Sequence, residues 1–66
     1  MHEHSTETID ADTDLIFEAD TGRWFFRQYR EVSPNTTEHR ESVSWDDRTD
    51  AILALRSGLL TWEEWR

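Results

Sequence analysis

Three histidines, two adjacent carboxylate pairs and a set of arginines interleaved with aromatic rings are the residues of this chain with chemistry to offer. Carboxylates and imidazoles at short spacing serve general acid–base catalysis or metal binding. The pairs Asp46-Asp47 and Glu63-Glu64 are also what a helix start collects, because acidic groups stabilise the positive end of the helix dipole. His2 and His4 form an H-x-H pair that could hold a metal, but two imidazoles in an acidic leader make a weak site. His39 stands apart from any cluster and reads as solvated. The chain has no Lys, no Cys and no glycine-rich phosphate loop. That inventory argues against an enzyme, and it suggests no cofactor, no metal and no small-molecule substrate.

The arginines and rings lie mostly in residues 15–32, LIFEADTGRWFFRQYREV, where two alternating apolar runs flank a turn signal and predict a β-hairpin. With Thr21-Gly22 as a two-residue loop, Ala19 faces Trp24, Glu18 faces Phe25 and Phe17 faces Phe26. This register puts Leu15, Phe17, Ala19, Trp24 and Phe26 on one face, the expected core. Ile16, Glu18, Asp20, Arg23, Phe25, Arg27 and Tyr29 fall on the other. Residues 33–37, SPNTT, read as a loop, and residues 38–45 alternate again as a third strand. Val43 and Trp45 are expected in the core, leaving Arg40, Ser42 and Ser44 beside Arg27 and Tyr29. A helix over residues 45–57 follows, capped by Ser44 or Asp46, with Ala51, Ile52, Leu55 and Leu59 at core spacing and Gly58 as its stop. Thr61 with Glu64 matches a capping box, so a last helical turn is expected to carry Trp62 and Trp65. One turn persists only when docked, so these rings either close the core or reach a second subunit.

A chain of 66 residues has room for one domain and buries only about 60% of its unfolded surface, so its stability is expected to be marginal. Four Trp, three Phe and one Tyr compensate, and with no Cys to staple the fold, dimerisation is the remaining aid. Residues 1–14 are acidic and nearly devoid of apolar side chains, which predicts a disordered leader ahead of a domain over residues 15–66. No signal peptide or membrane span is evident, and a cytoplasmic location is expected. Fifteen acidic residues against seven arginines give a net charge of -8. Two settings produce such a bias: a GC-rich genome that favours Arg codons, and a high-salt cytoplasm where acidic surfaces stay hydrated. The second is the sharper reading. A DNA mimic would need an ordered acidic row, whereas these acids are scattered.

The expected fold is therefore α+β: a three-stranded antiparallel sheet with one helix on one face and a short C-terminal helical turn. Phe17-Glu18, Asp20, Gly22, Trp24, Phe26 and Arg27 resemble the first hairpin of the small YegP-like proteins, in which a three-stranded sheet precedes one helix. The likeness covers residues 17–27 and the order of elements, and it implies architecture and pairing as a homodimer rather than an activity. The same order is similar to the DNA-binding domains of the integrase-arm type, which lay a three-stranded sheet in the major groove. Arg23, Arg27 and Arg40, interleaved with Phe25 and Tyr29, are the residues that such a nucleic-acid-binding surface would use. Glu18, Asp20, Glu31 and Glu38 share that face by parity and offset the arginines. The favoured reading is a protein-interaction module that self-associates through Phe25, Tyr29, Trp62 and Trp65.

Overall fold

The computed structural model describes residues 4–66. Four strands run β1 (His4–Asp10), β2 (Thr13–Glu18), β3 (Arg23–Ser33) and β4 (Thr36–Glu41), followed by helix α1 (Arg48–Arg56). The strands form one antiparallel sheet in the order β1-β2-β3-β4. The class is α+β, but the sheet has four strands, and this corrects the three-stranded expectation. The additional strand comes from the acidic stretch expected to be unordered. His4–Asp10 pairs with β2 from His4↔Glu18 to Asp10↔Thr13. Composition missed it because β1 buries little by itself: it is held by the sheet ladder, and among its described side chains only Ile9 packs against the core. Its return turn is local, since the Asp10 carboxylate accepts the Asp12 N–H at 2.9 Å.

The central hairpin is built on a longer loop than expected. Residues 19–22 form the turn, in which Gly22 takes φ +70 and its N–H donates to the Glu18 carbonyl at 2.8 Å. The strands consequently pair Leu15 with Phe26, Ile16 with Phe25 and Phe17 with Trp24. Relative to the expected register the loop is longer by an even number of residues. Because side chains alternate with period two, the strand residues kept their faces, while Ala19, expected in the core, lies exposed in the turn.

The next turn behaves differently. Ser33 pairs with Thr36 across Pro34-Asn35, and a bulge lies between Glu31 and Ser33. Without the bulge, Tyr29 would face Arg40; with it, Tyr29 faces His39, Arg27 faces Glu41 and Gln28 faces Arg40. The single extra residue turns β4 over. Arg40 therefore shares the helix side of the sheet with Gln28, and the expected grouping of Arg40 with Arg27 and Tyr29 is corrected. Val43 is likewise 41% exposed rather than in the core. A second irregularity restores Trp45, which bridges to Trp24 through two 2.8 Å backbone bonds.

That bridge delays the helix, which begins at Arg48 with Asp47 as its cap, accepting the Thr49 N–H at 3.0 Å. Gly58, at φ +69, turns the chain away, so Leu59 is 73% exposed instead of packed. The expected final helical turn is absent. Residues 61–66 lie antiparallel beside β4, with Val43 N–H donating to Thr61, Glu63 to Glu41, and His39 and Arg66 to each other's carbonyls. An open strand edge offers a full set of backbone partners, which an isolated helical turn cannot match.

Leu15, Phe26 and Ala51 are completely buried, and Ile9, Trp24, Trp45, Ile52, Leu55, Leu60 and Trp62 pack around them. No helix among the described residues is long and apolar enough to cross a membrane. Two measurements check this account. Removing residues 1–10 should abolish the cooperative urea transition, whereas an unordered leader could be cut with no effect. Gly22→Ala should cost about 1 kcal/mol in urea unfolding, because the left-handed conformation disfavours a Cβ that meets nothing within 4 Å. D-alanine at this position should remove that cost.

Candidate functional site

The chain's positive charge is almost wholly engaged. Arg23 donates to Asp46 at 2.6 Å and to Ser44 Oγ at 2.6 Å, fastening β3 to the segment before the helix. Arg27 is held by the Glu41 carboxylate through Nε, at 3.0 Å, and through Nη2. That pairing raises the Arg27 pKa, chiefly through the Glu41 hydrogen bond, with Tyr29 adding to it and burial opposing. Arg30 reaches Glu38 at 2.9 Å, and Arg48 grips Glu7 on β1 at 2.6 Å.

Arg40 does something different. Its Nε and Nη2 donate to Gln28 Oε1 at 2.9 and 2.6 Å, and its guanidinium lies 4.5 Å from the ring centroids of both Trp62 and Trp65. Arg30 lies 4.3 Å from the Trp65 ring. The order Arg30, Trp65, Arg40, Trp62 is a ladder of alternating cations and indoles on the helix side of the sheet. Guanidinium planes stack on indole faces by cation–π attraction, worth about 0.5–1 kcal/mol per exposed contact. Trp62 also packs against the buried cluster. Trp62 thus covers one end of the core, and both terminal rings are themselves covered by arginines.

The opposite face of the sheet is closed as well. Phe25 is only 9% exposed and Ile16 4%. The Arg27 guanidinium sits 5.9 Å from the Phe25 ring centroid, and Glu18, Glu41, Val43 and Glu63 border the same shallow polar depression. Tyr29 is half-buried. Of the residues expected to grip nucleic acid, Arg23 and Arg27 are tied to carboxylates, while Arg40 lies on the other face.

The most exposed of the large apolar side chains lie elsewhere. Leu53 is 55% and Leu59 73% exposed, and with Trp45, Asp50, Ala54 and Ser57 they line a groove of about 330 Å³ along α1. Trp45 Nε1 is buried with no acceptor among the described residues, a desolvation cost of about 1–3 kcal/mol. A second trough of about 370 Å³ separates α1 from β1, lined by Glu7, Thr8, Ile9, Arg48, Ile52, Leu55 and Arg56. Sequence reasoning missed both, because each depends on where the helix settles.

The chain matches no family model, no curated protein and no solved structure. Geometry carries the functional reading alone. Among the described residues no group of three or more His, Asp or Glu could hold a metal ion. His2 lies outside the described residues, as does the expected His2–His4 pairing. Asp47 is spent on the helix cap, Asp46 on Arg23, and Glu63 on Arg66 at 3.2 Å.

The ladder can be checked by substitution. Arg40→Lys keeps the charge but loses planar stacking on two indoles and the paired bond to Gln28. It should lower stability by about 1–2 kcal/mol in urea unfolding followed by tryptophan fluorescence. An unchanged midpoint would show the ladder to be energetically idle.

Proposed function

We propose that this protein is a small interaction module that self-associates as a homodimer through the groove formed by Trp45, Leu53, Ala54 and Leu59. The observation that carries this reading is the exposure of Leu53 and Leu59 beside that groove, the two most exposed large apolar side chains among the described residues of a chain of net charge -8. Two large aliphatic side chains flanking a concave wall are what a partner surface covers. Phe25 and Tyr29 are less suited to the role, since Arg27 and the surrounding acids already screen them.

A second copy is the occupant that the charge distribution favours. Copies of net charge -8 repel, so contact is least unfavourable where charge is sparse. Asp50 is the one ionisable residue lining the groove. The same repulsion makes association dependent on salt: screening shortens from about 10 Å at 0.1 M to about 3 Å at 1 M. This accords with adaptation to a high-salt cytoplasm, a setting in which a strongly acidic surface remains soluble.

Sedimentation equilibrium across a KCl series tests the proposal. The wild-type chain should form a dimer whose dissociation constant falls with KCl. Leu53→Glu and Leu59→Glu should each leave a folded monomer by circular dichroism, while Tyr29→Ala should dimerise as before. A wild-type monomer at every salt concentration overturns self-association. A dimer lost with Tyr29→Ala but kept with Leu59→Glu returns the interface to the sheet face.

A further inference from the structure

The two edges of the sheet are treated differently. Residues 61–66 cover β4, whereas β1 lies at the end of the strand order with β2 as its sole neighbour among the described residues. Which backbone groups β1 presents follows from antiparallel alternation. Ser42 N–H donates to the Phe26 carbonyl, so Phe26 turns its backbone groups toward β4, and Phe25 and Arg27 turn theirs toward β2. Their partners Ile16 and Asp14 then face β3, which leaves Leu15 facing β1 and its partner Glu7 facing β2. Thr6 and Thr8 consequently direct their N–H and C=O groups away from the sheet.

Beside this open edge runs the trough between β1 and α1. Ile9, Ile52 and Leu55 give it apolar lining, and Arg48 and Arg56 are its cations. Arg48 is neutralised by Glu7, bound through both carboxylate oxygens at 2.6 and 2.8 Å. Arg56 is different. It lies in the last turn of the helix and is exposed, and among the described residues it has no hydrogen-bond or ion-pair partner. The other arginines each bind a carboxylate or, for Arg40, the Gln28 amide. A chain of net charge -8 has thus left one guanidinium unmatched, at the side of a trough with a free strand edge.

We infer that this trough is a strand-addition site for an extended acidic segment of another protein, which pairs antiparallel with β1 and places alternate side chains over the trough. Main-chain bonds to Thr6 and Thr8 supply affinity, an aliphatic side chain rests on Ile9, Ile52 and Leu55, and a carboxylate two residues away meets Arg56. Alternation is required because only every second side chain of an added strand points toward α1. This surface is distinct from the Leu53–Leu59 groove and does not depend on self-association.

The test uses the full chain, labelled with nitrogen-15, in KCl at which it is folded. The probe is the blocked peptide acetyl-TVTETV-amide, whose valines and glutamate share one face. Saturable shifts are expected at the amides of Thr6, Thr8 and Ile9 and along α1 near Ile52. Arg56→Ser should weaken binding at least fivefold without changing the circular dichroism spectrum. The lysine peptide acetyl-TVTKTV-amide should bind at least fivefold more weakly, and N-methylation of the probe's threonines should abolish binding. Absence of saturable shifts overturns the inference, as does equal binding of the lysine or N-methylated peptide. Shifts centred on Leu53 and Leu59 would move the peptide to the other groove. Protection of the Thr6 and Thr8 amides in a peptide-free dimer would assign this edge to a second copy, and would equally overturn it.

Discussion

Leu15 opposite Phe26 is the contact on which this small protein depends. Both side chains are completely buried, and with Ala51 they are the fully enclosed core among the described residues. The register of the central hairpin decides that pairing, and the pairing decides where α1 can lie. Trp24 and Trp45, joined by their backbone bridge, extend the same surface toward the start of the helix. The terminal segment extends it the other way through Leu60 and Trp62. A core this small cannot enclose all its aromatic rings, and arginine side chains shield Trp62 and Trp65 instead.

Positive charge is scarce here, and much of it is placed where one element meets another. Arg48 ties the helix to β1, Arg23 ties β3 to the segment before the helix, and Arg66 and Arg40 hold the terminus against β4. Exposed ion pairs are individually worth about 0–1 kcal/mol, so these contacts select an arrangement more than they sustain it. The acidic excess then acts on association. At net charge -8 copies of the chain repel, a repulsion that salt screens, and Arg56, without a partner among the described residues, is a local exception.

Much of the site was hidden because single residues, rather than patterns, decide it. The bulge near Val32 sends Arg40 to the helix side, where it meets Trp62 and Trp65. No periodicity marks that bulge: the residues on either side alternate equally well in both registers. The capping-box signal at Thr61 was genuine as a local preference and was overridden by an available strand edge. Leu59 read as core because helical spacing was continued through Gly58, whereas the left-handed backbone there breaks the period.

The amino-acid sequence alone determined the hairpin faces, the helix with its acidic start and its stop at Gly58, and the excess of negative charge. These are local properties: side-chain alternation, capping chemistry and composition act over a few residues and survive even a wrong loop length. Tertiary structure alone decided that residues 4–10 are a strand, that the terminus lies along β4, and that the indoles stack with Arg30 and Arg40. The reason is physical. A polar segment with little to bury takes its conformation from the edge it pairs with, and an edge exists only after the rest of the sheet has formed.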